Sequence, residues 1–135
     1  MNPHKVTQDF EAALCEYTGA PYACVVTSCT MALLIALTAR RMLLGRLRVG
    51  VPKKTYLSVP MTVQQAGHDL YFRDLEWRGA YNLEGTSIWD CARRFTGGMW
   101  QKDQTQCVSF HASKVLNLDA SVGGRLEKLR KHLAS

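Results

Sequence analysis

A lysine that is followed by a pair of glycines is the feature of this sequence that points most directly to chemistry. Lys114 ends the segment Ser109-Phe110-His111-Ala112-Ser113-Lys114, and Gly123-Gly124 follows it. The segment comes after the short apolar run Cys107-Val108, which predicts that Lys114 lies just beyond the end of a strand. A lysine amine placed there is suited to forming a Schiff base with an aldehyde cofactor. The alternative is a solvated surface lysine, which is the more common case for an isolated lysine.

Hydroxyl side chains precede a long apolar stretch that begins at Met31. Thr27, Ser28 and Thr30 lie at the start of this predicted helix. Hydroxyls together with free backbone N–H groups at a helix N-terminus predict a phosphate site. Simple N-capping is the alternative for this turn.

Three further residues could hold an aromatic cofactor. Asp90 closes a predicted strand, and a carboxylate facing a pyridine nitrogen would keep that nitrogen protonated and improve the ring as an electron sink. Tyr56 could stack on the ring, and Ser109 could add a hydroxyl to the phosphate. The alternatives are a helix cap for Asp90, an ordinary core or surface tyrosine for Tyr56, and a strand terminator for Ser109.

A phosphate cup, a stacking ring, a carboxylate and a lysine together fit pyridoxal 5′-phosphate (PLP). Lys114 would hold the cofactor as an internal aldimine and, once released, would act as the base that moves the α-proton. We predict no metal site, because none of the five cysteines forms a CxxC pair or lies near a histidine at metal-ligand spacing. The cysteines are expected to be reduced and mostly packed in the core.

The elements that must position these residues follow from the apolar pattern. Helices are predicted at Thr7–Tyr17 with Thr7 as its cap, Met31–Leu44, Tyr56–Ala66 with Pro60 in the first turn, and the basic stretch Leu126–Leu133. Gly19, Gly45 and Gly67 end the first three, and Gly97-Gly98 marks a loop. Strands are predicted at Tyr22–Val26, Arg48–Val51 before Pro52, Leu70–Phe72, Thr86–Trp89 and Gln106–Phe110.

Apolar strands that alternate with helices are typical of an α/β domain with a mostly parallel, buried sheet. In such sheets ligands bind beyond the carboxyl ends of the strands. Ser28, Thr30, Tyr56, Asp90 and Lys114 all fall at predicted strand ends. We therefore expect these residues to converge on one crevice.

The bulk properties narrow the class of protein. A chain of 135 residues suits one domain, and it has neither an apolar run that could span a bilayer nor a signal-peptide pattern at Met1. We expect a cytoplasmic protein without a membrane partner. The net charge of +6, with basic clusters at Arg40–Arg48 and Lys128–His132, favours phosphates, nucleotides or nucleic acid as partners. A solvated basic face is the alternative for each cluster.

Six motifs, in order from about Phe10 to Leu126, resemble those of the DegT/DnrJ-type sugar aminotransferases among the fold type I PLP enzymes. The motifs are Phe10-Glu11 with Tyr17–Ala20 and Tyr22-Ala23, then Thr27–Leu33, Thr55–Ser58, Ala66-Gly67 with Leu70–Asp74, Asp90-Cys91-Ala92, and Ser109–Lys114 with Gly123-Gly124. The last motif is the most specific of the six.

This resemblance implies a three-layer α/β/α large domain, a homodimer with its active site at the subunit interface, and a nucleotide-linked keto sugar as the amino acceptor. It implies that Lys114 forms the Schiff base, that Asp90 binds the pyridine nitrogen and that Tyr56 stacks on the ring. The remaining cofactor-binding positions that it implies are Ser28, Thr30 and Ser109 at the phosphate, backbone N–H groups near Cys29, and Arg93 and His111.

The sequence also departs from the family pattern. Cys29 stands where the phosphate turn has a glycine, and Arg93 stands where a Gln or His lies near the ring oxygen. The interval between Asp74 and Asp90 is too short for the family's extra helix, strand and helix. Because the sequence ends soon after Gly124, we expect a truncated, single minimal PLP-binding domain over residues 1–135, without the C-terminal small domain.

The leading hypothesis is a PLP-dependent aminotransferase that acts on a nucleotide-linked keto sugar or a similar anionic substrate. One alternative is a compact phage-type PLP enzyme that decarboxylates or rearranges an amino acid attached to a DNA base, which the basic clusters would also suit. A second alternative is a catalytically inactive partner subunit or binding module. The presence of both Asp90 and Lys114 argues against the second alternative.

Overall fold

A computed structural model describes residues 3–110 of the chain. The expectations for His111, Lys114, Gly123-Gly124 and the helix at Leu126–Leu133 lie outside the described residues. The chain divides into two compact units. Of the described residues, the first unit contains 3–26, 95–102 and Phe110, and the second contains Thr27–Arg94 and Asp103–Ser109.

The described part of the first unit contains one helix. Helix α1 spans Pro3–Thr18, so the predicted helix is confirmed but begins four residues earlier. Thr7 lies inside it, and its predicted role as the N-cap is wrong. The predicted stop at Gly19 is confirmed, because Gly19 has φ 84° and its N–H donates to the Cys15 carbonyl at 2.9 Å.

Four aromatic rings pack against one another in the described part of this unit. Phe95 lies 4.9 Å from Tyr17 and 5.2 Å from Phe110 between ring centroids, and Phe110 lies 5.4 Å from Phe10. The Gly98 N–H donates to the Tyr17 carbonyl at 2.9 Å, which attaches the predicted glycine loop to the end of α1. This hydrogen bond therefore holds the loop against the C-terminal end of α1.

The strand predicted at Tyr22–Val26 is wrong. This segment is irregular, and Tyr22 is 88% exposed. Strand structure requires a neighbouring strand to pair the backbone groups, and the structure describes none beside this segment. The Val25 N–H donates instead to the Glu11 carboxylate at 3.2 Å.

The second unit contains two helices that match their predictions closely. Helix α2 spans Cys29–Leu44, begins at the N-cap Ser28 and ends at Gly45 with φ 89°. Helix α3 spans Ser58–Gln65, with Pro60 in its first turn as predicted, and Gly67 follows with φ 87°. Pro60 is tolerated there because the first turn of a helix does not need its N–H groups.

Five short strands form two sheets in the second unit. The strands are β1 Arg48–Pro52, β2 Asp69–Arg73, β3 Tyr81–Asn82, β4 Ile88–Cys91 and β5 Thr105–Val108. β1 and β2 are parallel, β4 and β5 are parallel, and β3 pairs antiparallel with β4. Gly50 and Glu84 exchange two backbone hydrogen bonds of 3.1 and 2.9 Å, which join the segment after β3 to β1.

This topology changes three expectations. β3 has no counterpart in the prediction, because two residues carry no recognisable period. Asp90 lies inside β4 and does not follow it, and β5 ends at Val108, two residues earlier than predicted. The second unit is therefore a small mixed arrangement of helices and sheets. A three-layer arrangement around a mostly parallel sheet is not confirmed.

The core of the second unit lies between the two helices and the strands. α2 packs on α3, β4 and β5, and α3 also packs on β1 and β2. The fully buried apolar side chains include Leu33 and Leu37 of α2, Val49 and Val51 of β1, and Val63 of α3. This packing brings the N-terminus of α2 against β4 and β5.

Candidate functional site

A buried carboxylate lies at the centre of the candidate site. Asp90 is 3% exposed and pairs in register with Cys107 on β5 and with Tyr81 on β3. Its Oδ1 accepts from the Ala92 N–H at 3.0 Å, and its Oδ2 accepts from the Tyr81 hydroxyl at 2.8 Å. Residues 92 and 93 form a turn, so Asp90 does not cap a helix. Such donors offset the desolvation of a buried charge.

Tyr81 is the residue of this site that the sequence analysis missed. Its hydroxyl lies 2.6 Å from the Thr55 hydroxyl as well as beside Asp90. Burial, and then the charge of Asp90, raise the pKa of Tyr81 well above its usual value, so the phenol keeps its proton. No local signal marks Tyr81, because its role depends on pairing between β3 and β4.

Cys29 connects the start of α2 to the carboxylate. Its thiol lies 4.0 Å from Asp90 Oδ1 and 3.5 Å from the backbone oxygen of Cys107. The thiol that stands in place of the family's glycine is thus directed toward β4 and β5. The first turn of α2, with its N–H groups, consequently lies beside Asp90.

The two hydroxyls at the start of α2 have structural partners. Ser28 Oγ accepts from the Met31 N–H at 3.0 Å, so this serine is an N-cap. The Thr30 hydroxyl donates to Ser58 Oγ at 3.5 Å, which joins the N-termini of α2 and α3. A phosphate role for either residue stays a prediction.

Tyr56 and Arg93 lie together in the wall of an open pocket of about 300 Å³. Arg93 Nε donates to the Tyr56 hydroxyl at 3.0 Å, and the guanidinium carbon is 5.7 Å from the centroid of that ring. Lys54, Thr55 and Trp77 complete the wall. Thr55 therefore belongs both to the pocket and to the hydrogen bonds that lead to Asp90.

Ser109 lies at the same end of the sheet. Cys91 of β4 pairs with Val108 of β5 at the end of the two strands. Ser109 directly follows β5, and Ala92 directly follows β4. Among the predicted residues the structure brings Cys29 to Asp90 and Arg93 to Tyr56. Thr30, next to Cys29, contacts Ser58, and Ser109 lies at the same edge of the sheet as Asp90. His111 and Lys114 lie outside the described residues.

The other thiols near Asp90 are uncharged. Burial, with a further contribution from Asp90, raises the pKa of Cys91 to about 12 and raises that of Cys107 strongly. Cys91 and Cys107 therefore act as buried, weakly polar side chains.

Across residues 3–110, no group of three or more His, Cys, Asp or Glu side chains is arranged to hold a metal ion.

A second and larger cavity, of about 410 Å³, lies elsewhere in this unit. It is lined by Arg46, Gln64, Gly67, His68, Asp69 and Leu70. Asp69 begins β2, and its carboxylate forms an ion pair with Arg46. We place the candidate site at the smaller pocket, because only that pocket is connected to the buried carboxylate.

The donors in the described residues fit PLP. Asp90 presents a buried carboxylate, the group that pairs with a protonated pyridine nitrogen, and Tyr81 and Ala92 hold it in place. The start of α2 offers N–H groups to an anion, and the pocket wall carries the Tyr56 ring beside Arg93. These are the contacts that a pyridine ring bearing a phosphate needs.

Comparison with known proteins adds family information. Residues 2–88 match the DegT/DnrJ/EryC1/StrS aminotransferase family, a stretch that ends just before Asp90. The chain is 43% identical over 58 residues to the UDP-4-amino-4,6-dideoxy-N-acetyl-beta-L-altrosamine transaminase of Campylobacter jejuni subsp. jejuni serotype O:2, and 41% identical over 58 residues to the protein of the same name from serotype O:23/36. Each alignment covers 43% of this chain and 13% of the relative's length.

Two further findings concern the chain. No solved structure matches it significantly. Within residues 3–110 no helix has the length and apolar character needed to cross a membrane. The family match covers more than half of the 135 residues. The chain belongs to the DegT/DnrJ/EryC1/StrS aminotransferase family.

Proposed function

We propose that this chain is the cofactor-binding part of a PLP-dependent aminotransferase that acts on a nucleotide-linked keto sugar. Family membership and relatives named as UDP-amino-sugar transaminases support the reaction class and the substrate class. The observation that carries the proposal is the buried Asp90 carboxylate, held by Tyr81 and adjacent to the start of α2. Thr55 and Tyr81 connect this buried acid to an open pocket, and a buried acid near a pocket is typical of a functional site.

The N-terminus of α2 would bind the cofactor phosphate. Its backbone N–H groups and positive dipole end favour an anion, and Ser28 and Thr30 place hydroxyls in the same turn. Ser109, at the same edge of the sheet, would add a third hydroxyl. Cys29 would contribute its backbone, because its thiol is directed toward Asp90.

The pocket wall would hold the ring. Tyr56 would lie against the ring face, Arg93 would lie near the ring oxygen, and Asp90 would keep a proton on the ring nitrogen. The bound pyridine ring supplies an electron sink for the reacting carbon of the substrate. In this arrangement Arg93 also orients Tyr56 through their hydrogen bond.

Lys114 would provide the reactive amine. We propose that it is the covalent attachment point of the cofactor and the base that moves the α-proton of the substrate. His111, in the same motif, would also contact the cofactor. Both assignments rest on the resemblance of the Ser109–Lys114 segment to the family motif.

The charge of the chain suits an anionic substrate. Lys54 and Arg93 both line the pocket, and the chain carries a net charge of +6. We further propose a cytoplasmic homodimer with its active site at the subunit interface, in which these residues form part of a three-layer large domain. Ultracentrifugation that gave only monomer at every working concentration would contradict the dimer.

The comparisons do not favour either alternative function. The relatives that match are named as nucleotide-sugar transaminases, which supports neither a DNA-base-modifying enzyme nor an inactive binding module. The same basic clusters that would suit DNA also suit a nucleotide. Transamination of a nucleotide-linked sugar is therefore the one activity that we propose.

The deciding experiment is a visible absorption spectrum of the purified protein with PLP, before and after borohydride, with mass spectrometry of the Lys114 peptide. We expect a Schiff-base band that borohydride removes, and a reduced pyridoxyl group on Lys114. Lys114→Ala should abolish the band, whereas Lys102→Ala, at an exposed lysine, should keep it. An unchanged band in Lys114→Ala would contradict the assignment.

A further inference from the structure

Three side chains form a directed hydrogen-bond chain between the pocket and the buried carboxylate. The Tyr81 hydroxyl donates to Asp90 Oδ2 at 2.8 Å and lies 2.6 Å from Thr55 Oγ. A phenol has one hydrogen, and here it is committed to Asp90. Thr55 must therefore donate to Tyr81, so the chain runs from Thr55 to Tyr81 to Asp90.

Burial makes this chain rigid. Tyr81 and Asp90 are each 3% exposed and face each other as a register pair of β3 and β4. The Tyr81 ring also packs edge-on against Trp77, with centroids 4.7 Å apart. Water cannot readily replace the phenol at this depth, and linked hydrogen bonds strengthen one another in a low dielectric.

Within residues 3–110, three thiols also approach Asp90. Cys29 approaches from α2, Cys91 follows on β4, and Cys107 lies opposite on β5. Burial raises the pKa of Cys91 and of Cys107, so neither thiol is charged at neutral pH. The Tyr81 hydroxyl, at 2.8 Å, donates a hydrogen bond to the charged form of the carboxylate.

We propose that Tyr81, anchored by Thr55, is a positioning residue that keeps the Asp90 carboxylate ionised and fixed in orientation, and thereby keeps a proton on the ring nitrogen of the bound pyridine cofactor. A hydrogen bond donated to the charged form of an acid favours that form. An ionised Asp90 in turn favours the protonated ring nitrogen. The effect on Asp90 stands on the contacts alone, and the last step rests on the proposed function.

The first test uses the cofactor-free protein. Infrared spectroscopy with ¹³C-labelled aspartate follows the protonated carboxyl band of Asp90, which is assigned by its loss in Asp90→Asn. In Tyr81→Phe we expect this band to appear at a pH higher by roughly one unit, since one hydrogen bond to a charged group is lost. Thr55→Val should shift the band in the same direction by less.

The control removes a phenol outside the chain. Tyr71 on β2 lies over Gly50 and beside Arg48, so Tyr71→Phe should leave the Asp90 band unchanged. Circular dichroism confirms that each variant is folded. If Tyr81→Phe does not fold, Thr55→Val decides the question. A folded Tyr81→Phe whose Asp90 band titrates as in the wild type overturns the proposal.

The second test uses protein loaded with PLP labelled with ¹⁵N at the ring nitrogen. We expect the wild-type resonance at the pyridinium position and a shift toward neutral pyridine in Tyr81→Phe, with no shift in Tyr71→Phe. An unchanged resonance in loaded Tyr81→Phe overturns the link to the cofactor. If the wild type binds no PLP, the proposed function fails, and the infrared shift alone decides the effect of Tyr81 on Asp90.

Discussion

Asp90 illustrates how individual side chains make this site possible. A carboxylate that is removed from water needs donors, and Asp90 receives them from the Tyr81 hydroxyl and the Ala92 N–H. The turn after β4 supplies one of these donors and the neighbouring strand β3 supplies the other. The residue pattern around Asp90 reveals only the Ala92 donor in the turn.

Replacing Asp90 by Asn should separate cofactor binding from catalysis. The amide is nearly isosteric, so we expect PLP to remain bound, while turnover falls roughly 100-fold or more because the ring nitrogen loses its charged partner. Steady-state kinetics and an absorption spectrum measure the two effects. Asp74→Asn, in the exposed segment after β2, is the matched control. Wild-type turnover in Asp90→Asn would show that this carboxylate plays no electronic part.

The cysteines should label in an order set by burial. Cys24 is exposed, whereas burial raises the pKa of Cys91 to about 12 and also raises that of Cys107. Because the thiolate is the reactive form, iodoacetamide at pH 8 should modify Cys24 first and reach Cys91 and Cys107 only after denaturation. Mass spectrometry over time checks this order. Rapid labelling of Cys91 in the folded protein would contradict its buried position.

At the scale of elements, a histidine joins α2 to the segment that enters β1. His68 is buried in the connection between α3 and β2. Its Nδ1 accepts from the Leu47 N–H at 3.2 Å, so Nε2 carries the proton and donates to the Leu37 carbonyl at 2.8 Å. This ring therefore pairs the Leu47 N–H, which lies outside the helices and strands, and adds a second hydrogen bond to a carbonyl of α2.

His68→Ala should destabilise the protein without changing the site directly. The Leu47 N–H would lose its partner, the Leu37 carbonyl would lose its second hydrogen bond and a small cavity would form, which costs about 2–4 kcal/mol of unfolding free energy. Urea denaturation measures the change. Gln65→Ala, at the exposed last residue of α3, should stay within about 0.5 kcal/mol of the wild type. A His68→Ala variant as stable as that control would contradict the bridging role.

The elements also differ in how well the sequence predicts them. Helices α2 and α3 were predictable because their apolar residues recur at helical spacing and Gly45 and Gly67 end them. Tyr22–Val26 has the composition of a strand but finds no pairing partner in the described part of the chain. The reverse holds for β3, whose two residues are a strand only because β4 lies beside them.

At the scale of the whole molecule, the chain corresponds to a small part of its relatives. It aligns with 13% of the length of each Campylobacter jejuni transaminase, and it carries a net charge of +6. Activity of the whole protein on a nucleotide-linked sugar is therefore a proposal for this chain. A measurement of PLP binding tests the proposed cofactor-binding role of the described residues more directly than a measurement of activity does.

PLP should stabilise the whole molecule through mass action. At a free concentration of about 100 times its Kd, a ligand that binds only the folded state adds about 2.7 kcal/mol, which for a chain of this length raises Tm by roughly 10 °C. Scanning calorimetry measures the shift. Pyridoxal, which lacks the phosphate that α2 would bind, should give a smaller shift at the same concentration. No shift with saturating PLP would contradict a native cofactor site.

The sequence by itself determined the family, helices α1 to α3 and the order of the candidate residues, because these follow from local pattern and motif. Ser28 at the start of α2, and Asp90 with Ala92, were recognisable in this way. Only the tertiary structure decided that Tyr81 holds Asp90, that the Cys29 thiol is directed toward the same carboxylate, and that Arg93 contacts Tyr56. The partners in these contacts are 9, 61 and 37 residues apart, and no local pattern specifies them. They form because strand pairing and helix packing bring separate segments together.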